Sequence, residues 1–81
     1  SGDNPQASRG QFFLHAVIQK DLNTVKDMLE TENVAQIQHI KTKENALHVA
    51  ILQNNAKMVE ILLENGVDMY QADAKGVTPV G

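Results

Sequence analysis

Hydrophobic positions along the chain fall into four short runs with helical spacing, separated by polar breaks. Phe12, Phe13, Ala16 and Val17 form the first run, and Leu22, Val25, Met28 and Leu29 form the second. Lys20-Asp21 lies between them, predicting a stop for one helix and, at Asp21, an N-cap for the next. The stretch Glu30 to Asn45 is polar, with Val34, Ile37 and Ile40 scattered through it without helical period. A second pair of helices is predicted over about Ala46 to Gln53 and Ala56 to Glu64. Asn54-Asn55 divides them, since asparagine both breaks a helix and caps the following one. Met58, Val59, Ile61, Leu62 and Leu63 make a wide apolar stripe on the last helix, which Asn65-Gly66 ends with a left-handed terminator. Ser1 to Gly10 holds little that packs and reads as a flexible tail.

The two helix pairs are copies of one unit. At an offset of 34 positions Ala16 falls on Ala50, Gln19 on Gln53, Val25 on Val59, Leu29 on Leu63 and Glu30 on Glu64. Phe13 on Leu47, Val17 on Ile51 and Met28 on Leu62 match in character. Beyond the second helix the better offset is 33, with Asn33 on Gly66 and Val34 on Val67, so one extra residue lies near Thr31-Glu32. Thr78-Pro79-Val80 then falls on Asn45-Ala46-Leu47 as a third start. Helix pairs recurring at this period predict a solenoid, in which each unit buries its apolar face only against its neighbours.

Composition narrows the function. With 81 residues the chain makes one small domain or part of a larger one, and the lack of cysteine removes disulfides, thiolate metal sites and cysteine nucleophiles. Seven basic against ten acidic residues give a net charge of −3 without a basic cluster, so nucleic acid is not an expected partner. The longest apolar run, Val49 to Leu52, is four residues, against the roughly 20 that span a bilayer, so no direct membrane contact is expected. His15, His39 and His48 have no helical i, i+4 pairing that would favour a metal. Ser1 and Ser8 are the only serines, the glycines never approach a phosphate-binding pattern, and the carboxylates are scattered. No catalytic residue and no cofactor site is expected; the chain reads as a non-enzyme.

The residues that carry the repeat resemble those of the ankyrin repeat family. Asn45-Ala46-Leu47-His48-Val49-Ala50 is similar to the Thr-Pro-Leu-His-x-Ala opening of that family's first helix. Met58 to Asp68 resembles its second helix and glycine stop. Asp73-Ala74-Lys75-Gly76-Val77-Thr78-Pro79-Val80 resembles the Asp-x-x-Gly-x-Thr-Pro-Leu finger that opens the next unit. In the first unit Leu14 replaces the motif histidine, Ile40 the finger aspartate and Lys43 the finger glycine. These departures imply an atypical capping unit without the second finger's tight turn.

The resemblance implies an all-α fold: an ankyrin-repeat solenoid of stacked helix–turn–helix units with short β-hairpin-like fingers, about two repeats plus the start of a third. The boundaries are a flexible tail over 1–10 and a repeat domain over 11–81. Within it repeat 1 covers about 11–43, repeat 2 about 44–76, and the start of repeat 3 covers 77–81. Thr78-Pro79 reads as a helix start, with the threonine hydroxyl capping. His48 is expected to bond neighbouring backbone and threonine groups, Met28 and Met58 to fill the core, and Leu47, Val59, Leu62 and Leu63 to fill the space between layers. Function would be binding of another protein through finger tips (His39, Lys41, Thr42 and Glu44, then Ala74, Lys75 and Val77) and inner-helix positions (Ile18, Gln19, Leu52 and Gln53). Tyr70 is a further contact candidate. The chain would serve as scaffold, inhibitor or adaptor, inside the cell in cytoplasm or nucleus. The alternative is an accessory ankyrin segment of a multidomain protein, the cytosolic arm of a channel or the regulatory arm of an enzyme. An apolar C-terminal face would take further repeats or self-associate.

Overall fold

A computed structural model describes residues 5–80 of the chain, with side chains from Arg9 onward. Four helices follow in order: α1 (Pro5–Ile18), α2 (Leu22–Thr31), α3 (Ala46–Leu52) and α4 (Ala56–Glu64). α1 packs on α2 and α3 on α4, and α1 packs on α3, so the two antiparallel pairs stack through their first helices.

Three helices end in the same way. After α4 the amide of Gly66 bonds the Leu63 carbonyl and that of Val67 bonds Leu62, with Gly66 at φ 82°. After α1 Lys20 and Asp21 repeat this pattern onto Val17 and Ala16, and after α3 Asn54 and Asn55 repeat it onto Ile51 and Ala50. Lys20 (φ 62°) and Asn54 (φ 56°) therefore occupy the left-handed position that glycine fills after α4. The next residue in each turn caps the following helix: Asp21 accepts from the Thr24 amide and Asn55 from the Met58 amide, both at 3.2 Å. One residue thus closes one helix and opens the next. The extra residue of the first unit sits at the end of α2, which has 10 residues where α4 has 9.

The core is one cluster shared by the two pairs. Phe13, Val17, Val25, Leu47, Ala50, Met58 and Leu62 are fully enclosed, and Met28 nearly so. Leu63 departs from its predicted role: it is 38% exposed, while Leu29 at the equivalent position is packed against the core.

The expected tail over 1–10 is also corrected for its described part, because Pro5 to Gly10 form the first turns of α1; Ser1 to Asn4 lie outside the described residues. Tertiary contacts hold this segment. Arg9 makes a two-pronged ion pair with Glu32, its guanidinium lies 5.2 Å from the Phe12 ring centre, and Gln11 Nε2 donates to the Gln38 carbonyl. Gly10 is buried, and a Cβ there would overlap Cγ1 and Cδ1 of Ile37. Glycine lets the helix lie against the chain that leads into the first finger. Gly10→Ala is expected to destabilise by about 1 kcal/mol, because forcing Ile37 aside outweighs the gain in helix propensity. In an Ile37→Ala background the same change is expected to stabilise. Urea unfolding followed by circular dichroism on the four proteins checks the reversal of sign.

The fingers are turns rather than strands. A single bridge between Gln38 and Asn45 is the only β pairing among the described residues. Thr78 also differs from expectation: its hydroxyl donates to the Val80 carbonyl at 2.9 Å rather than capping a helix.

Candidate binding face

The second finger is organised by one carboxylate. Asp73 Oδ1 accepts from the amides of Lys75 (2.8 Å) and Val77 (2.9 Å), the Asp73 amide donates to the Val77 carbonyl, and Gly76 turns the chain at φ 81°. The first finger lacks both residues, yet its turn is just as tight, which corrects the expected looseness. His39, one position earlier in the repeat register, accepts on Nδ1 from the amides of Lys41 (3.0 Å) and Thr42 (3.3 Å). Lys43 takes the glycine position at φ 62°. The left-handed conformation costs a non-glycine residue about 1–2 kcal/mol. Bonds from the His39 amide to the Glu44 carbonyl and from the Lys43 amide to the His39 carbonyl hold it there.

The fingers are tied side by side. The Ala74 amide donates to the Thr42 carbonyl, and Gln38 Nε2 bridges the carbonyls of Lys43 and Ala72. Beneath them lies a buried polar belt. The Asn45 side-chain oxygen accepts the His48 amide at 3.1 Å, and its nitrogen donates to the Asp68 carbonyl (2.9 Å) and Gln71 Oε1 (3.1 Å). His48 Nδ1 accepts the Asn45 amide at 3.0 Å, and Nε2 lies 2.7 Å from the Val77 carbonyl. A carbonyl only accepts, so the ring carries its proton on Nε2. His48 has the structural role expected of it, with asparagine in place of the motif threonine.

Two hollows open on the finger side. One, of about 340 Å3, lies between the tips and is lined by Lys41, Thr42, Glu44, Asp73, Ala74 and Lys75. The other, of about 300 Å3, is floored by Ile51, Leu52, Val77 and Pro79, and it shares Glu44, Asp73 and Lys75 with the first. Leu52 is 77% exposed and Val77 54%. The fold therefore joins Lys41, Thr42, Glu44, Leu52, Ala74, Lys75 and Val77 into one continuous surface.

Other expected contact residues are placed elsewhere or are already engaged. The half-buried His39 spends Nδ1 on its own turn. Gln53 is half-buried and donates from Nε2 to the Ile18 carbonyl at 2.8 Å, tying the ends of α1 and α3 together, while its Oε1 is buried without a partner. Ile18, Gln19 and Tyr70 are exposed but line neither hollow. Ile51 was missed because its register partner Val17 is a core residue. Val17 is wholly enclosed in the cluster shared by the two units, whereas Ile51, with no unit beyond it among the described residues, is 39% exposed.

Three carboxylates, the half-buried Asp73 and Glu32 and the exposed Asp21, are held in their ionised form by the groups that bond them. Asp73 is lowered from its ordinary value by the Val77 and Lys75 amides, Asp21 by Thr24, and Glu32 by Arg9. A lowered folded-state pKa contributes stability that is complete above the unfolded value, near about 4, and is lost as pH falls through the folded one. The urea midpoint is therefore expected to fall on acidification from about pH 5 to pH 3, and by less in Asp73→Asn, which keeps an acceptor without a titrating charge. Equal acid sensitivity in that variant would exclude Asp73 as a contributor.

No group of three or more histidine or carboxylate side chains able to hold a metal ion exists among the described residues, and no described helix is long and apolar enough to cross a membrane. Stacked helix pairs joined by repeated turns, with fingers tied edge to edge, define a helical-repeat solenoid. The family model for ankyrin repeats (3 copies) matches residues 2–80, and the chain belongs to the ankyrin repeat family. No curated protein matches the chain.

Proposed function

We propose that this chain binds a partner protein through the finger tips and the adjoining concave hollow, acting as a non-catalytic scaffold, adaptor or inhibitor. Ankyrin repeats are generally protein–protein interaction modules. The observation that carries the reading here is Leu52: a leucine 77% exposed, in a hollow with Val77 and Ile51, contributes nothing to the core. Apolar side chains grouped in a concavity and rimmed by charge have the anatomy of an interface centre. The alternative reading, an accessory segment within a larger protein, draws on the exposed Ile51 and Leu63, whose register partners Val17 and Leu29 are respectively buried in the core and packed against it.

Affinity capture from cell lysate, comparing wild type with Leu52→Glu/Val77→Glu, tests the proposal. Both side chains are exposed, so circular dichroism and the urea midpoint are expected to be unchanged, and partners are expected to be lost. Gln53 is left intact because its bond to Ile18 is structural. Identical partner sets from the two proteins would overturn the proposal.

A further inference from the structure

Charge is segregated across the molecule. The outer helices α2 and α4 carry Lys26 and Lys57 against Asp27, Glu30, Glu60 and Glu64. The fingers carry Lys41, Lys43 and Lys75 against Glu44 and Asp73. These two acids are engaged internally: Asp73 accepts two backbone amides and Glu44 accepts the Thr42 hydroxyl. None of the three finger lysines has an ion-pair partner among the described residues, where the one ion pair is Arg9–Glu32. Both acids keep their charge but are half-buried, whereas the three lysines are exposed, so the fingers carry one positive charge in excess on a chain whose net charge is −3. Lys75 lines both the tip hollow and the apolar hollow, so an apolar anchor and an opposing charge are within reach of one short segment.

From this juxtaposition we infer that the partner presents an acidic, apolar-anchored segment, with a leucine- or phenylalanine-like side chain against Leu52, Ile51 and Val77 and neighbouring carboxylates at Lys75 and Lys41. The inference rests on the concave-face reading above and specifies its ligand. Apolar burial supplies most of the affinity, and the lysines select sign and speed encounter. Basic segments are disfavoured because they bring like charge to the tips.

Selection of a displayed library of random peptides on the wild-type chain, with counter-selection on Leu52→Glu, provides the test. Enriched peptides are expected to combine an apolar anchor with aspartate or glutamate a few residues away. A synthetic copy of one such peptide is expected to bind Lys41→Gln/Lys75→Gln several-fold to about tenfold more weakly, and to weaken with added salt. Lys26→Gln/Lys57→Gln, on the outer helices, is expected to bind it as wild type does. Lys43 stays unchanged because it forms the turn. Enriched peptides that are neutral or basic, or that bind the Lys41/Lys75 variant equally well, would overturn the inference and leave the concave-face reading standing. Enrichment no better on wild type than on Leu52→Glu would overturn both.

Discussion

Asn45→Leu is expected to lower the free energy of unfolding by about 3 kcal/mol, a large share of the roughly 4–12 kcal/mol available to a chain of this size. Asn45 is completely buried, and its carboxamide works in two directions at once. Its oxygen caps α3 through the His48 amide, and its nitrogen bonds the Asp68 carbonyl and Gln71 on the loop after α4. Leucine matches the volume but leaves the buried His48 amide and the part-buried Asp68 carbonyl without those partners, and an unsatisfied buried group costs more than a made bond contributes. Asn45→Thr separates the two roles. Threonine restores the cap but cannot reach the loop, so it is expected to cost about half as much. Urea unfolding of the three proteins gives the order wild type, threonine, leucine. Threonine indistinguishable from wild type would show that the link to the loop contributes nothing.

Phe13→Ala is expected to cost about 3–5 kcal/mol and to leave the chain largely unfolded at 37 °C, whereas Phe12→Ala is expected to change stability by less than about 1 kcal/mol. The two residues are adjacent and chemically identical. Phe13 is wholly enclosed in the cluster that includes Val17, Val25, Leu47 and Met58. Its loss removes apolar burial and leaves a cavity between the two units that the stacked helices cannot close by local relaxation. Phe12 is 51% exposed, lies outside the core cluster and has the Arg9 guanidinium over its ring. Phe13→Leu, which retains most of the volume, is expected to recover more than half of the loss. Thermal and urea unfolding distinguish the two positions; similar costs at both would mean that the core does not lie on the Phe13 side of α1.

The helix boundaries were largely legible because each is written in local chemistry. Asp21, Asn45 and Asn55 each cap through a side-chain oxygen that serves amides within the next turn, so a short stretch of sequence carries the whole signal. Gly66 is legible for the same reason. Lys43 and the start of α1 were not. Lysine has no preference for a left-handed backbone, and it adopts one because His39, Glu44 and the bridge at Gln38 hold the turn around it. Pro5 to Gly10 have no apolar stripe of their own; Arg9, Gly10 and the following Gln11 meet Glu32, Ile37 and Gln38, more than 20 positions away. The candidate surface was legible in part. Lys41, Thr42, Ala74, Lys75 and Leu52 meet there, but the sequence could not separate them from Gln53 and His39, whose polar groups are spent on bonds inside the fold.

By itself, then, the sequence determined the repeat, most of the helix boundaries and the family to which the chain belongs, because those depend on side chains acting on backbone within a turn or two. Tertiary structure alone decided which of two adjacent phenylalanines is core, that Pro5 to Gly10 belong to α1, and that Ile51 is open where Val17 is closed. Burial at each of these positions depends on what the neighbouring unit places against it, and no local pattern in the chain carries that information.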